Sequence, residues 1–211
     1  MKRYSVHKDV LEKIRFCEND NIFYGADQEW FSSPLKRAAG CGPVAAAMMY
    51  VCIADHTEKP SCAEDWLPLM KEWWKAVTPG MFGLNSVVKF AFGADRFFRQ
   101  NDLPFFTKTL PLSACKYPPI EQAVDFIKDG LEKNCPVAFL NLGNGGIENL
   151  QAWHWVVITA LTENTTTAAF SSEKSLLAEI YDEGSVLEID FVQWYKTAKH
   201  FGGLAYFQKE A

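Results

Sequence analysis

The first two thirds of the chain place apolar residues three or four positions apart, which is the spacing of one helix face. The clearest stretch covers residues 42–54 and is apolar on all sides, as in a helix buried at the centre of a domain. Pro43 suits its first turn, where the missing N–H costs no hydrogen bond. The pattern predicts five helices, at residues 6–18, 42–54, 61–77, 84–93 and 119–133, with Ser61 as the cap of the third.

After residue 135 the pattern changes to short, β-rich segments separated by turn residues. Glu183-Gly184 predicts a hairpin turn between two of these segments. The predicted strands cover residues 136–142, 153–160, 166–171, 177–182, 185–190 and 203–208, with a short helix at 191–198 before the last strand. Helices first and antiparallel strands afterwards predict an α+β fold.

Composition limits the partners. The chain has 211 residues, 48% of them apolar, and no polar or Gly/Ser-rich linker, so a single domain spanning residues 1–211 is expected. Its formal net charge is -5, and no Lys/Arg block is longer than a dipeptide. Nucleic acid is therefore excluded as the main partner, because phosphate binding needs a cationic surface. No apolar run approaches the ~20 residues that span a bilayer, so no membrane association is expected. A peptide or small molecule is the expected ligand.

The cysteines and the N-terminal segment indicate the compartment. The charged start Met1 to Asp9 is followed by no apolar stretch, which argues against a secretory signal and for a cytoplasmic protein. Six cysteines are spread along the chain without any C-x-x-C pair, so reduced thiols are expected, although an even count would also fit three disulfides in an exported protein. The His and Cys residues do not have zinc-ligand spacing, so no metal and no other cofactor is predicted.

Cys41 stands out among the cysteines because Gly40 and Gly42 flank it at the start of the apolar helix. The positive end of a helix dipole and a nearby imidazole stabilise a thiolate, which is the nucleophilic form. The glycines leave the backbone open, so that a substrate carbonyl can approach and a backbone N–H can face its developing oxyanion. The sequence predicts Cys41 as a nucleophile, with a small buried core residue as the alternative.

His154 is the candidate base. It lies in an apolar strand between Trp153 and Trp155, where an imidazole needs a polar partner. Side chains alternate along a strand, so His154 points to one face and its two Trp neighbours to the other. A hydrogen-bonded core histidine is the alternative. The combination with Cys41, a Gly-flanked Cys at a helix start and a His on a strand, favours the catalytic interpretation.

The segments Gly40-Cys41-Gly42-Pro43-Val44-Ala45-Ala46-Ala47-Met48 and Trp153-His154-Trp155-Val156-Val157-Ile158-Thr159 resemble the papain-fold cysteine peptidases related to bacteriocin leader-processing enzymes. In that family a Cys-Gly-Pro helix start carries the nucleophile and a His-Val-Val strand carries the base. The resemblance implies a papain-like architecture, with the nucleophile helix packed on an antiparallel sheet in the second half of the chain. The second cysteine and the Trp near the nucleophile of papain itself are absent.

The resemblance also implies two further site residues. A Gln upstream of the nucleophile completes the oxyanion hole in the family, and Gln28 is the candidate here, although its offset of thirteen residues is longer than the family pattern. The third member of the family site is an Asp or Asn at the end of the strand after the His strand. The predicted strands put Ser172 at that place, with Asp182 or no third residue as the alternatives. A serine hydroxyl accepts the imidazole N–H without adding charge.

These residues predict a cysteine hydrolase that cleaves a peptide or small amide through a catalytic dyad of Cys41 and His154 and an acyl-enzyme. Two alternatives remain open on the sequence. One is an acyltransferase that uses the same dyad, and the other is a papain-fold protein that has lost turnover and binds a peptide or partner. The sequence does not predict an oligomeric state.

Overall fold

The computed structural model describes residues 1–55, 58–80, 83–112, 118–168, 171–198 and 202–210; within these, only the backbone is described at 165–168 and 171–174. Residues 113–117, which include Cys115, lie outside this part. The described chain contains both α-helices and an antiparallel sheet, as the pattern of the two halves predicts. In the described ranges, no helix is long and apolar enough to cross a membrane.

The helices carry the first half of the core. Their bounds are α1 Lys8–Glu12, α2 Pro34–Ala39, α3 Cys41–Ile53, α4 Ala63–Ala76, α5 Val87–Gln100, α6 Ile120–Glu132 and α7 Phe191–Thr197. A 3-10 turn at Gln28–Trp30 precedes α2. Almost every residue of α3 is buried, because the helix lies between the sheet and α4. Its apolar composition on all sides is therefore explained by burial on all sides.

The strands are β1 Lys2–Ser5, β2 Arg15–Glu18, β3 Asn21–Tyr24, β4 Phe105–Pro111, β5 Val137–Asn141, β6 His154–Ala168, β7 Ser171–Asp182, β8 Ser185–Asp190 and β9 Gly202–Lys209. Strands β2 and β3 form a separate hairpin. The others form one antiparallel sheet in the order β4-β9-β5-β6-β7-β8. Strand β1 pairs with the part of β6 that extends past Val137, the first residue of β5.

Aromatic side chains show that the sheet has helices on both faces. On one face, Phe207 of β9 contacts Trp73 of α4 and Phe98 of α5. On the other, the neighbouring residue Tyr206 contacts Phe126 of α6, and Phe139 of β5 contacts Trp194 of α7. Alternation along each strand therefore supplies two cores. Burying both faces accounts for the fully buried strand β5.

Several helix predictions need correction. The predicted helix 6–18 is reduced to α1, because Asn19 and Asp20 adopt positive φ values of 49° and 63° and turn the chain into the β2–β3 hairpin. The residue at the N-cap of α4 is Cys62 rather than Ser61, whose N–H and hydroxyl both bond Asp65. The predicted helix 84–93 begins later and extends further, as α5. Strands β1 and β4 were not predicted.

The strand predictions in the second half miss one continuous pair. The segments predicted at 153–160 and 166–171 belong to the long strand β6 and the start of β7, and residues 169–170 lie outside the described part. Strand β7 then runs without interruption to Asp182. The turn predicted at Glu183-Gly184 is confirmed, with φ values of 46° and 73°. Consequently the strand after the His strand ends at Asp182.

Candidate functional site

Cys41 is the first residue of α3, and the helix begins there for local reasons. Gly40 occupies the N-cap, and its carbonyl accepts the first helical bond, from the N–H of Val44, at 2.9 Å. A side chain on Gly40 would collide with the Lys36 carbonyl, and one on Gly42 would lie 2.8 Å from Leu84 Cδ2. Both flanking glycines are therefore needed for close packing around Cys41. The thiol itself is half-buried and lines a cleft.

His154 begins β6 and is almost fully buried, with 4% of its surface exposed. Its Nε2 lies 2.6 Å from Oδ1 of Asp182, the last residue of β7. The side chain of Asp182 is also buried, with 7% exposed. Antiparallel pairing of β6 and β7 explains this contact, because the start of one strand lies beside the end of the other.

Cys41 lines the same cleft as His154, and its thiol is one of the groups that act on the imidazole. Since Nε2 is bonded to Asp182, the ring nitrogen left for the thiol is Nδ1. Burial lowers the pKa of His154, but the hydrogen bonds to Asp182 and Cys41 outweigh burial and raise it from 6.5 to about 10. At neutral pH the imidazole is therefore protonated, which is the form that can donate a proton.

Gln28 lines the same cleft as Cys41 and His154. The 3-10 turn that carries it is capped by Asp27, whose carboxylate accepts the Glu29 N–H at 2.8 Å. Helix α2 lies between this turn and Cys41 in the sequence and accommodates the extra residues. This explains how Gln28 and Cys41 line one cleft despite an offset of thirteen residues. The Oε1 atom of Gln28 is buried without a hydrogen-bond partner. Exchanging the amide O and N by rotation presents an N–H donor in the same place.

Ser172 is not part of this cluster. Its backbone pairs with Thr167, at the opposite end of β6 from His154, and its side chain lies outside the described part of the structure. The third position beside the imidazole is occupied by Asp182, which sequence analysis gave only as an alternative. The reason is the unbroken length of β7, which ends at Asp182, ten residues after Ser172.

Asn141 was not predicted from the sequence and supports His154. It lies opposite His154 in the β5–β6 pair and is fully buried. Its amide donates to the Gln151 carbonyl at 2.5 Å, and its Oδ1 accepts from the Gly143 N–H and from Trp194 Nε1. These bonds connect both ends of the loop between β5 and β6. Asn141 therefore holds the chain that enters the His154 strand.

Carboxylates surround the outer side of the His154–Asp182 pair. Burial and the charge of Asp182 raise the pKa values of both Asp27 and Glu183. The donor atoms of His154, Asp182 and Glu183 lie within 4.8 Å of one another, as do those of Glu18, Cys62 and Glu64. Either group contains ligand types that hold metal ions. In the first group, however, His154 is already bonded to Asp182, so the geometry matches an acid–base pair.

The cleft between these side chains is narrow, with a volume of about 10 Å³, which is close to the space of one water molecule. The site thus combines a thiol at a helix start, a protonated imidazole, a buried carboxylate and an amide. That set can carry out nucleophilic attack on a carbonyl and proton transfer to a leaving group. Comparison with models of known protein families and with curated proteins finds no match to this chain.

Proposed function

We propose that this chain is a papain-like cysteine hydrolase that cleaves a peptide or other amide bond through Cys41, His154 and Asp182. The observation that carries the proposal is that Cys41, His154 and Asp182 meet at one cleft. Asp182 lies 2.6 Å from His154 Nε2, and the Cys41 side chain lines the cleft beside this pair. A base oriented by a third group and facing a nucleophile is the arrangement that defines catalytic triads.

The papain-like assignment is supported by the order of the elements. A buried helix carries the nucleophile at its first residue, and an antiparallel sheet later in the chain carries the base. The acid follows at the end of the next strand, which is where the resemblance to the leader-processing peptidases puts an Asp or Asn. This position also weakens the alternative of an inactive peptide-binding protein, because that alternative depended on the lack of an acid or amide there.

In the proposed reaction the Cys41 thiolate attacks the carbonyl carbon, and the oxyanion is held by the Cys41 backbone N–H and the Gln28 amide. The protonated His154 then donates its proton to the leaving amine, which departs as the carbonyl re-forms in a thioester. Neutral His154 next takes a proton from water, the resulting hydroxide attacks the thioester, and the acid product leaves. Asp182 holds the imidazole in place and stabilises its charged form throughout.

Competitive labelling tests the nucleophile. Limiting iodoacetamide at pH 7, followed by peptide mass spectrometry, should alkylate Cys41 ahead of the exposed Cys17. Burial raises the pKa of Cys52 to about 12 and that of Cys135 to about 11, so both should react slowly. His154→Ala should remove the advantage of Cys41, whereas Cys17→Ser should leave it unchanged. Labelling of Cys41 no faster than Cys17 would contradict the assignment.

A second measurement separates hydrolysis from its alternatives. A peptide substrate should give a thioester-linked mass on Cys41 and then a free acid product. Incorporation of an added amine into the product instead would identify an acyltransferase. Retention of peptide by both wild type and Cys41→Ala, with no acyl-enzyme mass in the wild type, would identify a binding protein.

A further inference from the structure

A larger hollow lies between the end of α4 and the outer face of α5. Its volume is about 470 Å³, whereas the cleft has about 10 Å³. Pockets that hold small ligands have volumes of about 300–1,000 Å³. The cleft is therefore too small to hold a substrate side chain, whereas this second hollow, the α4–α5 groove, has the volume to hold one.

The walls of the α4–α5 groove are apolar. Val77 and Leu84 are buried and form its floor, while Val88 and Phe92 on α5 are 58% and 68% exposed. Gly93 lets the two helices approach closely, since a side chain there would lie 2.4 Å from the Ala76 carbonyl oxygen. Exposed apolar side chains that adjoin a hollow indicate a surface that binds something.

Two cations lie at the edge of the α4–α5 groove. Arg96 donates to the Lys75 and Ala76 carbonyls at the end of α4, which fixes its guanidinium, and its remaining N–H groups are available to a ligand. In the ranges that the structure describes, neither Lys89 nor Arg96 forms an ion pair with a carboxylate. Because these two cations have no carboxylate partner there, in a chain whose net charge is -5, they favour a ligand that brings an anionic group to the edge of the groove.

Leu84 connects the α4–α5 groove to the proposed site. Its carbonyl accepts a 2.6 Å hydrogen bond from Trp155 Nε1, and its side chain packs against Gly42. Trp155 and Gly42 are the residues that follow His154 and Cys41 in the sequence. The groove therefore contacts, through Leu84, the residue that follows each member of the proposed dyad. An extended peptide, which advances about 3.3 Å per residue, reaches it within a few residues of the scissile bond.

We infer that the α4–α5 groove is the recognition subsite for the substrate and holds an apolar side chain next to an acidic residue of the peptide. This inference rests on the hydrolase function proposed above. Binding energy from a remote part of the substrate places the scissile carbonyl at Cys41, where the narrow cleft offers few contacts of its own.

Peptide chloromethyl ketones test the inference, because they alkylate Cys41 only after they bind. Three probes carry Leu-Glu, Leu-Gln or Leu-Lys, each at three spacings from the reactive group, and intact mass spectrometry gives the rate of Cys41 labelling. At the spacing that fits, Leu-Glu should label about fivefold faster than Leu-Gln, as one exposed charge pair allows. Added salt should reduce this preference.

Charge reversal supplies the matched comparison. Lys89→Glu should transfer the preference to the Leu-Lys probe, while Lys71→Glu, on the exposed side of α4 outside the groove, should keep the wild-type preference. Iodoacetamide should label Cys41 equally in all three proteins. Suppose that iodoacetamide labels Cys41 equally in all three proteins. If then no spacing favours the Leu-Glu probe, or if Lys89→Glu leaves the preference unchanged, the groove assignment is wrong and the hydrolase proposal stands. If iodoacetamide does not favour Cys41 in the wild type, both fail.

Discussion

Asp182 offers the sharpest test of the proposed site, because two substitutions remove its contributions separately. Asp182→Asn keeps an oxygen that accepts from His154 Nε2 but removes the charge, and Asp182→Ala removes both. A hydrogen bond to a charged group contributes about 1.5–3 kcal/mol, against about 0.5–1.5 kcal/mol for a neutral one. The pair is nearly dry, with 6% and 7% of the two side chains exposed, so little screening reduces these values.

The difference of about 1–1.5 kcal/mol between these bonds corresponds to about a tenfold loss for Asp182→Asn, and removing the whole bond gives about a hundredfold loss for Asp182→Ala. The rate of Cys41 alkylation by iodoacetamide at pH 7 measures this, with Cys17 as the internal reference. In both variants, NMR titration should find the pKa of His154 below its wild-type value, because a contribution that raises it is gone.

Glu183→Gln is the matched control. Among the described residues, Glu183 lies near the His154–Asp182 pair, but its carboxylate hydrogen-bonds Gln151, at 3.4 Å, and neither member of the pair. It should keep the alkylation rate within about twofold of wild type, as expected for a partly exposed charge. Equal effects of Asp182→Asn and Glu183→Gln would refute the reasoning. They would mean that Asp182 acts only as one of several nearby charges and not as the partner of the imidazole.

Two further predictions concern the rest of the site. Gln28→Ala should lower kcat for a peptide about a hundredfold or more, which is the usual loss for one oxyanion donor. Iodoacetamide labelling of Cys41 should stay unchanged, because that reaction forms no oxyanion. A parallel loss in both measurements would assign Gln28 a structural role. The raised pKa of His154 makes its protonated form stabilising, fully so below pH 6.5 and progressively less up to about pH 10. Urea unfolding should therefore give the wild type a higher free energy of unfolding than His154→Gln, by an amount that decreases as the pH rises across that interval. A difference that stays constant or grows would contradict the pKa shift.

Local sequence signals were sufficient for much of the fold. Helix α3 was predicted within one residue because its apolar run begins beside a Gly-Pro pair, and the turn at Glu183-Gly184 because Gly184 adopts a positive φ without steric cost. The hairpin of β2 and β3 was missed for a physical reason. The helical spacing of Val6, Val10, Leu11 and Ile14 extended the predicted helix into β2. The turn at Asn19-Asp20 and the stacking of Phe16 on Phe23 at 5.2 Å favour the hairpin instead.

The candidate site was predictable only in part. Cys41 and His154 carry their own local signals, a glycine-flanked helix start and an imidazole in an apolar strand. Asp182 carries none, because its role depends on where β7 ends and on pairing with a strand start 28 residues away. Asn141 likewise acts through partners distant in sequence, such as Trp194. Residues whose function comes from strand register need the three-dimensional fold to be recognised.

Strand register also explains why the backbone is unusual on both sides of the His154–Asp182 pair. Trp153, immediately before His154, and Glu183, immediately after Asp182, adopt positive φ values of 59° and 46°. Such conformations cost about 1–3 kcal/mol each in non-glycine residues and persist only where the surroundings impose them. Here the imposing elements are the Asn141 bonds on one side and the β7–β8 turn on the other. Because a slip of one residue would send His154 or Asp182 to the opposite face of the sheet, fixed turns at these two points keep the acid and the base together.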